Sequence, residues 1–547
     1  MPTLKIDGKE VWVEPGTNVL EAAKKLGIEI PHYCYHPALK VAGSCRMCLV
    51  EIEGMPKLQI SCHTKAADGM VVWTNTEKVR KARQAVLEFL LVDHPLDCPV
   101  CDQAGECYLQ IYYMEHGLYK SRLRENKIKK EKAKPIGKHI ILDQERCILC
   151  SRCVRFTREV TKTFELGIFN RGNRSVVDLY PGIPELQNRY QGNLADICPV
   201  GALTDRDFRF QTRVWYLQQA KSICPGCSRG CNIEIDYNIS REYKAGGRRI
   251  PRIRPRHNPK VNGYWMCDDG RYGYKYVDAL DRILLPRRLE DGEPVELSWP
   301  AAYQMAAKLL SEATSDGADK VGVLLSAKMT NEELFAARKL FSSLGVSRVG
   351  FSVEPKEPGY EDDLLIKADK NPNTKGAELL QLGLGTGKSD ASALLDAAEK
   401  GEVDTVVIFN EDLSKSAEAE RAEKVLPGLG RVIYVGTNWN ATAAKADLVL
   451  PMATFVEQEG TFTNFEGRVQ RFWKAVEPLG ESRPGLSILS GLARALGLEP
   501  TSESAEEVFA ELAEQVPAFS GLSYQELGDH GKLVASQVGQ EEAVEQG

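Results

Sequence analysis

The placement of cysteine constrains this chain more than any other feature of its sequence. All 15 cysteines occur at or before Cys267, in a chain of 547 residues. They form four groups, numbered here in chain order: group 1, Cys34, Cys45, Cys48 and Cys62; group 2, Cys98, Cys101 and Cys107; group 3, Cys147, Cys150, Cys153 and Cys198; group 4, Cys224, Cys227, Cys231 and Cys267. Group 2 has three members, and His94 precedes it in the spacing H-x3-C-x2-C-x5-C. One imidazole therefore completes four sets of four ligands.

Disulfides, zinc and iron–sulfur clusters are the three chemistries that such cysteines allow. The odd count and an N-terminus without an apolar signal segment argue against a disulfide framework. Zinc remains an alternative, because it also takes tetrahedral thiolate ligands. Group 3 favours iron, since it begins with the compact C-x2-C-x2-C triplet of bacterial ferredoxins. Pro199 follows the remote Cys198, as in that motif.

The first eighty residues predict a small β-grasp ferredoxin domain. The alternating segments LKI and VWV are joined at Asp7-Gly8, which favours a hairpin, and Asn18 precedes the helical pattern VLEAAKKL. The spacing C-x10-C-x2-C-x13-C of group 1 suits a [2Fe–2S] cluster.

His94 follows a helical segment and is expected to bind iron as a neutral imidazole beside group 2. The alternative is that His94 caps the helix, with water or a carboxylate of Asp93 or Asp97 completing the site.

The C-terminal half has a different pattern. Compact β-branched runs alternate with helical segments, as in KVGVLLS, DTVVIFN, RVIYVGT and ADLVLP. That alternation predicts a parallel, doubly wound α/β sheet. The last 47 residues carry ten acids against one lysine and are expected to form a solvated helix and a loose tail. A net charge of −6 argues against nucleic acid as a partner, and no apolar stretch reaches the ~18 residues of a membrane helix.

Several segments resemble one family closely. GSCRMCLVE, DHPLDCPVCDQAGECYLQ, RCILCSRCVRF and CPVGALT resemble the large iron–sulfur subunit of bacterial NADH:quinone oxidoreductase, respiratory complex I. CPGCSRGC and ATFVEQEGTFTNFEGRVQRF are similar to the molybdopterin-oxidoreductase superfamily. The resemblance covers nearly the whole chain. It implies α+β iron–sulfur modules followed by an α/β doubly wound, molybdopterin-oxidoreductase-like domain.

The resemblance also implies the domain limits and the cofactors. The expected domains are a β-grasp [2Fe–2S] domain (1–78), a [4Fe–4S] module with one histidine and three cysteine ligands (79–119), a ferredoxin-like [4Fe–4S] domain (138–215), a molybdopterin-oxidoreductase-type [4Fe–4S] domain (217–273) and a degenerate, truncated α/β domain (274–547). Group 1 would bind one [2Fe–2S] cluster. His94 with group 2, group 3 and group 4 would each bind one [4Fe–4S] cluster. Because no cysteine follows Cys267, no molybdenum is expected.

The function implied is that of an electron relay without a self-contained active site. Electrons would pass from an NADH/FMN-binding flavoprotein subunit through the clusters towards the quinone-side hydrophilic subunits. The chain would belong to a hetero-oligomer, peripheral on the cytoplasmic side of the bacterial inner membrane and not inserted in it. The alternative is the iron–sulfur electron-transfer subunit of a soluble NAD-linked hydrogenase or formate dehydrogenase complex.

Overall fold

A computed structural model describes residues 1–241, 243–290, 293–353 and 359–535. The chain divides into two compact units. Unit 1 contains residues 1–217 and 243–247, and unit 2 contains residues 218–242 and 248–547. Groups 1, 2 and 3 therefore lie in unit 1, whereas group 4 lies in unit 2.

Unit 1 begins with a five-stranded sheet and one helix. These elements are β1 (Thr3–Ile6), β2 (Lys9–Trp12), α1 (Val19–Lys25), β3 (Leu49–Ile52), β4 (Gln59–Ile60) and β5 (Val71–Trp73). The strand order is β2-β1-β5-β3-β4, with β1 antiparallel to β2 and parallel to β5. Asp7 and Gly8 have φ of +47° and +79°, which the tight β1–β2 turn requires. The Asn18 side chain accepts a hydrogen bond from the Glu21 backbone N–H, which starts α1.

The remainder of unit 1 consists of short elements between the cysteines. They are α2 (Glu77–Leu91), α3 (Tyr108–His116), β6 (Lys134–Pro135), β7 (Ile140–Leu142), α4 (Arg152–Glu159), β8 (Leu166–Phe169), β9 (Val176–Leu179), α5 (Asn193–Ile197) and β10 (Leu203–Asp205). Strands β10, β7 and β6 form one antiparallel sheet, and β8 and β9 form a hairpin. Because most of these elements are short, the positions of the cysteine loops depend on packing in the interior.

Unit 2 begins with a three-stranded antiparallel sheet next to group 4. Its elements are β11 (Gln218–Ile223), β12 (Asn232–Tyr237), β13 (Arg252–Pro255) and α6 (Asp268–Tyr272). The β11–β12 connection carries the first three cysteines of group 4, and Cys267 immediately precedes α6.

A seven-stranded sheet forms the centre of unit 2. Its elements are β14 (Arg287–Glu290), β15 (Glu293–Glu296), α7 (Trp299–Gly317), β16 (Val321–Ser326), α8 (Asn331–Ser343), β17 (Arg348–Ser352), α9 (Thr374–Leu379), α10 (Asp390–Glu399), β18 (Thr405–Phe409), α11 (Ala419–Val425), β19 (Arg431–Gly436) and β20 (Leu448–Pro451). The order is β15-β14-β20-β19-β18-β16-β17, and the five strands from β20 to β17 are parallel. Val407 and Phe409 face one apolar core, and Val406 and Ile408 face the other. Burial on both faces is what a doubly wound sheet requires.

The last part of unit 2 packs against this sheet. It comprises β21 (Gly460–Thr463), β22 (Arg468–Phe472), α12 (Gly485–Ala495), α13 (Ala505–Gln515), α14 (Tyr524–Leu527) and β23 (Lys532–Leu533). Helix α13 is not the solvated helix expected from its acidic composition, because Val508, Phe509 and Leu512 are buried in the core. The expected loose tail after residue 535 lies outside the described residues. No helix in the described ranges is long and apolar enough to cross a membrane.

Candidate metal centres

Group 1 is arranged as two pairs of sulfur atoms. The Cys45 thiol donates a hydrogen bond to Cys34, which lowers the pKa of Cys34 to about 5. The Cys62 thiol donates in the same way to Cys48 and lowers its pKa to about 7. A [2Fe–2S] cluster has two irons, each with two protein ligands. The pairing fits such a cluster.

The ligand loops contain non-glycine residues in the left-handed conformation. Arg46, between two cysteines of group 1, has φ +59°, and in group 3 Leu149 and Ser151 have φ +53° and +62°. Such residues turn backbone N–H groups towards a common centre, which favours an anion. The Leu149 N–H lies 3.4 Å from the Cys147 sulfur. Sequence reasoning missed this feature, because no glycine marks these positions.

Group 3 surrounds a small cavity with apolar walls formed by side chains such as Leu142 and Val177. Burial raises the pKa of Cys147 to about 12 and that of Cys150 to about 11. At Cys198 burial also raises the pKa, but backbone N–H groups of the following residues oppose it. Thiols buried together become thiolates only when a cation compensates their charge, and an iron core provides one.

The three cysteines of group 2 and His94 line one larger cavity of about 890 Å³. Burial, which is the largest cause, and repulsion from Lys127 and Arg146 lower the pKa of His94 to about 4. Its Nδ1 is buried without a hydrogen-bond partner in the described part of the chain. A neutral imidazole with a free ring nitrogen is what a metal ligand requires. Asp97 is already engaged, 2.5 Å from Lys132 Nζ and 3.0 Å from Arg146 Nη2.

Two further features of unit 1 bear on group 2. A Cβ atom on Gly201 would lie 2.2 Å from the Cys101 sulfur, so only glycine fits there. The fully buried Tyr33 hydroxyl has no partner among the described residues, and both Cys107 and Cys45 act on it electrostatically. A phenol without a partner beside thiols is a potential donor to cluster sulfur. The sequence did not single out either residue.

Group 4 forms a similar small site in unit 2. Its four cysteines line one cavity together with Met266, Leu365 and Lys370. The Cys267 sulfur accepts a hydrogen bond of 3.4 Å from the Gly270 N–H at the start of α6. A Cβ on Gly270 would lie 2.8 Å from the Cys224 sulfur. Burial raises the pKa of Cys224 to about 12, as in group 3.

The state of the cysteines also bears on the alternatives to iron–sulfur clusters, which are disulfides and zinc. All fifteen thiols are free. Within the described residues, no three His, Cys, Asp or Glu side chains converge closely enough to hold a single metal ion.

Unit 2 has a second cavity, of about 710 Å³, at the carboxyl ends of its parallel strands. This is the edge at which α/β sheets bind ligands. The described residues that line it include no cysteine, and carboxylates outnumber lysines among them. An excess of carboxylates does not fit an anionic pyrophosphate-bearing molybdopterin cofactor.

Comparisons with protein-family models place five domains along the chain. The matches are the 2Fe-2S iron-sulfur cluster binding domain (1–77), the NADH-ubiquinone oxidoreductase-G iron-sulfur binding region (83–122), the NADH-quinone oxidoreductase subunit 3 ferredoxin-like domain (137–204), the molybdopterin oxidoreductase Fe4S4 domain (217–279) and molybdopterin oxidoreductase (368–495). This order defines a class of protein, the multi-cluster iron–sulfur oxidoreductase subunits with a molybdopterin-oxidoreductase-type C-terminal part. The predicted fold class is thereby confirmed.

Relatives identify the family within that class. The G subunit of the NADH-quinone oxidoreductase of Rickettsia felis is 30% identical, over 95% of this chain and 92% of the relative. The corresponding subunit of Streptomyces coelicolor is 41% identical over 62% of this chain and 39% of the relative. The chain belongs to the family of NADH-quinone oxidoreductase G subunits, as its sequence motifs predicted.

Two solved structures each match a part of the chain. An NAD+-reducing [NiFe]-hydrogenase in the H2-reduced state matches 39% of this chain and 91% of that chain, with 32% identity and a TM-score of 0.35. Acetylene hydratase from Pelobacter acetylenicus matches 57% of this chain and 74% of that chain, with 14% identity and a TM-score of 0.37.

Proposed function

We propose that this chain is the electron-relay subunit of an NADH:quinone oxidoreductase, respiratory complex I. Electrons would arrive from the NADH/FMN-binding flavoprotein subunit and leave towards the quinone-side hydrophilic subunits. The complex would hold the chain peripherally on the cytoplasmic side of the bacterial inner membrane. Family membership supports this assignment.

The sixteen residues predicted from the sequence are proposed as the cluster ligands. Group 1 would hold one [2Fe–2S] cluster. His94 with group 2, group 3 and group 4 would each hold one [4Fe–4S] cluster, within the five domains given above. When bound, the clusters supply one-electron redox couples, whose potentials depend on charge, burial and hydrogen bonds to sulfur.

The observation that carries this proposal is the shared interior of groups 1, 2 and 3. Cys34, Cys107 and Cys150, one from each group, belong to a single cluster of buried side chains in unit 1. Tyr33, Met47 and the other members of that cluster are uncharged. Three ligand sets around one largely apolar interior suit a relay that lies mainly inside unit 1.

The proposed path runs from group 1 through group 3 to group 2. Cys98 is exposed, whereas Cys101 and Cys107 are buried, so the group 2 site reaches the surface of unit 1. A site at the surface suits electron exit to a partner. Group 4 lies in the other unit and is proposed as a side site.

Metal analysis and EPR of the anaerobically purified full-length chain test the cluster assignment. We expect about fourteen irons per chain and an equal amount of acid-labile sulfide. The EPR spectrum should contain one [2Fe–2S] signal beside [4Fe–4S] signals. Stoichiometric zinc with little sulfide would overturn the assignment.

His94→Cys tests the histidine ligand separately. Replacing imidazole by thiolate adds a negative charge, so a ligated cluster should be rebuilt with a lower midpoint potential. If His94 only caps the helix, the EPR spectrum and midpoint of that cluster stay unchanged.

A further inference from the structure

Two arginines of α4 enter the buried region between group 1 and group 3. Arg152 and Arg155 are 5% and 4% exposed, although arginine is mostly a surface residue. The Arg155 guanidinium donates through Nη2 to the carbonyl oxygen of Cys34 and, at 3.4 Å, to that of Cys150. One side chain thus binds the peptide group of a proposed ligand in each group.

The other contacts of Arg155 make this link rigid. Its Nη1 donates to the Lys40 carbonyl oxygen at 2.6 Å, and its Nε donates to the Ser151 hydroxyl at 3.2 Å. Lys40 and Ser151 belong to the loops that carry group 1 and group 3. The guanidinium group is planar and holds several donors in fixed positions, so each further hydrogen bond costs little conformational entropy. Arg155 therefore fixes the separation of the two loops.

Arg152 makes a second link beside the first. It donates to the Tyr35 carbonyl oxygen on the group 1 loop and, at 3.1 Å, to the Ile197 carbonyl oxygen next to Cys198. The two arginines thus join segments that are 115 to 121 residues apart in the chain.

The buried charge has an electrostatic consequence. The hydrogen bonds from Arg155 to the Cys34 and Cys150 carbonyl oxygens hold its positive charge beside a proposed ligand of each group. Glu159 also acts on Arg155, but it is 3.0 Å from Arg158 Nη2. Glu159 is therefore shared between the buried Arg155 and the exposed Arg158. Reduction adds an electron to a cluster, so a nearby cation in a medium of low dielectric constant favours the reduced state.

We propose that Arg155 is a positioning residue shared by the group 1 and group 3 sites. Its fork sets the distance between the two sites, and its charge raises the reduction potentials of both together. The inference rests on the proposed function for the identity of the two clusters.

The test uses the full-length chain with Arg155→Met, Arg155→Lys and the control Arg158→Met. Arg158 lies on the same helix, but its side chain is 52% exposed. EPR-monitored redox titration gives both midpoints, and spin-relaxation enhancement reports the coupling between the two reduced clusters. Arg155→Met should lower both midpoints relative to the control. Arg155→Lys should keep both midpoints but weaken the coupling about twofold or more, because one ammonium cannot hold both carbonyls.

Each outcome either supports or overturns the shared role of Arg155. A midpoint change at one cluster alone, or at neither, overturns the shared role. If Arg155→Met does not retain iron at these sites, Arg155→Lys decides, and unchanged coupling in that variant overturns the inference. If the unsubstituted chain lacks the EPR signals of both clusters, the proposed function and the inference are both wrong. If it has both signals and the Arg155 variants have unchanged midpoints and coupling, only the inference is wrong.

Discussion

The interiors of unit 1 and unit 2 differ in the kinds of residue that form them. Unit 2 has an apolar core on each face of a seven-stranded sheet, and group 4 belongs to neither core. In unit 1, cysteines from three groups are themselves core residues, and buried arginines tie the loops between them. A sheet with two apolar cores is stable without a ligand, whereas an interior made of thiols depends on what the thiols bind.

Iron removal gives the largest expected difference between the units. When a chelator strips the full-length chain under reducing conditions, backbone amides of α4 and α5 should lose about 100-fold or more of their hydrogen-exchange protection. Amides of β16 and β18 should change little. Hydrogen exchange with mass spectrometry resolves these segments. Equal loss of protection in both units would show that the sheet also depends on iron.

Substitution of one cysteine in each unit sharpens the same comparison. Cys150→Ala should abolish NADH-to-quinone electron transfer, because Cys150 lies on the proposed path. Cys227→Ala should mainly weaken assembly and leave more than about half of the activity in complexes that do assemble. Activity is measured per assembled complex. Equal loss in both variants would contradict the side-site assignment of group 4.

A cavity in the sheet should destabilise unit 2 without affecting the clusters of unit 1. Phe409 is fully buried in β18, with its ring centroid 6.2 Å from that of Phe341. Phe409→Ala should lower the free energy of unfolding of unit 2 by about 3–5 kcal/mol. Leu280→Ala is the control, since Leu280 is 107% exposed, and should change it by less than ~0.5 kcal/mol. Urea unfolding measures stability, and EPR checks that the [2Fe–2S] signal persists.

The smallest effect concerns pH and a buried carboxyl group in unit 2. Burial raises the pKa of Glu332 to about 7, against hydrogen bonds from Thr461 and Tyr524. The stabilising contribution of the neutral carboxyl is complete below the unfolded pKa of about 4.3 and is lost as pH rises through about 7.

Glu332→Gln stays neutral at every pH. Relative to this variant, the unsubstituted chain should therefore lose up to about 3 kcal/mol between pH 5 and pH 8. Urea unfolding at the two pH values measures the difference. A difference that does not change with pH would mean that Glu332 is ionised throughout.

The sequence predicted features that depend on local chemistry. The Asp7-Gly8 hairpin and the strands of the parallel sheet could be predicted because turn residues and β-branched runs act over a few positions. Ligand spacing reflects loop geometry, so it supports the assignment of the cysteine groups to clusters, which stays a prediction.

Other features depend on contacts between distant parts of the chain. The contact of Arg155 with Cys34 spans 121 residues, and no local pattern indicates it. Leu149 and Ser151 adopt positive φ without the glycine that would mark such a position. Helix α13 has an acidic composition, yet its few apolar residues, Phe509 among them, lie on the face that meets the core. Composition averages over a helix, whereas packing depends on one face.

The shared interior of unit 1 also restricts how the protein can be made. Cys34 and Cys150 are both buried, so under the proposed assignment the finished surface leaves little access for a preassembled cluster to groups 1 and 3. We therefore expect delivery to groups 1 and 3 while this part of the chain is still open, during synthesis or by transient local unfolding. Gly201 packs against the Cys101 sulfur. The segment after Cys198 therefore also lies against the group 2 site. If the proposed clusters are present, we expect the supply of iron and sulfide to keep pace with the folding of unit 1.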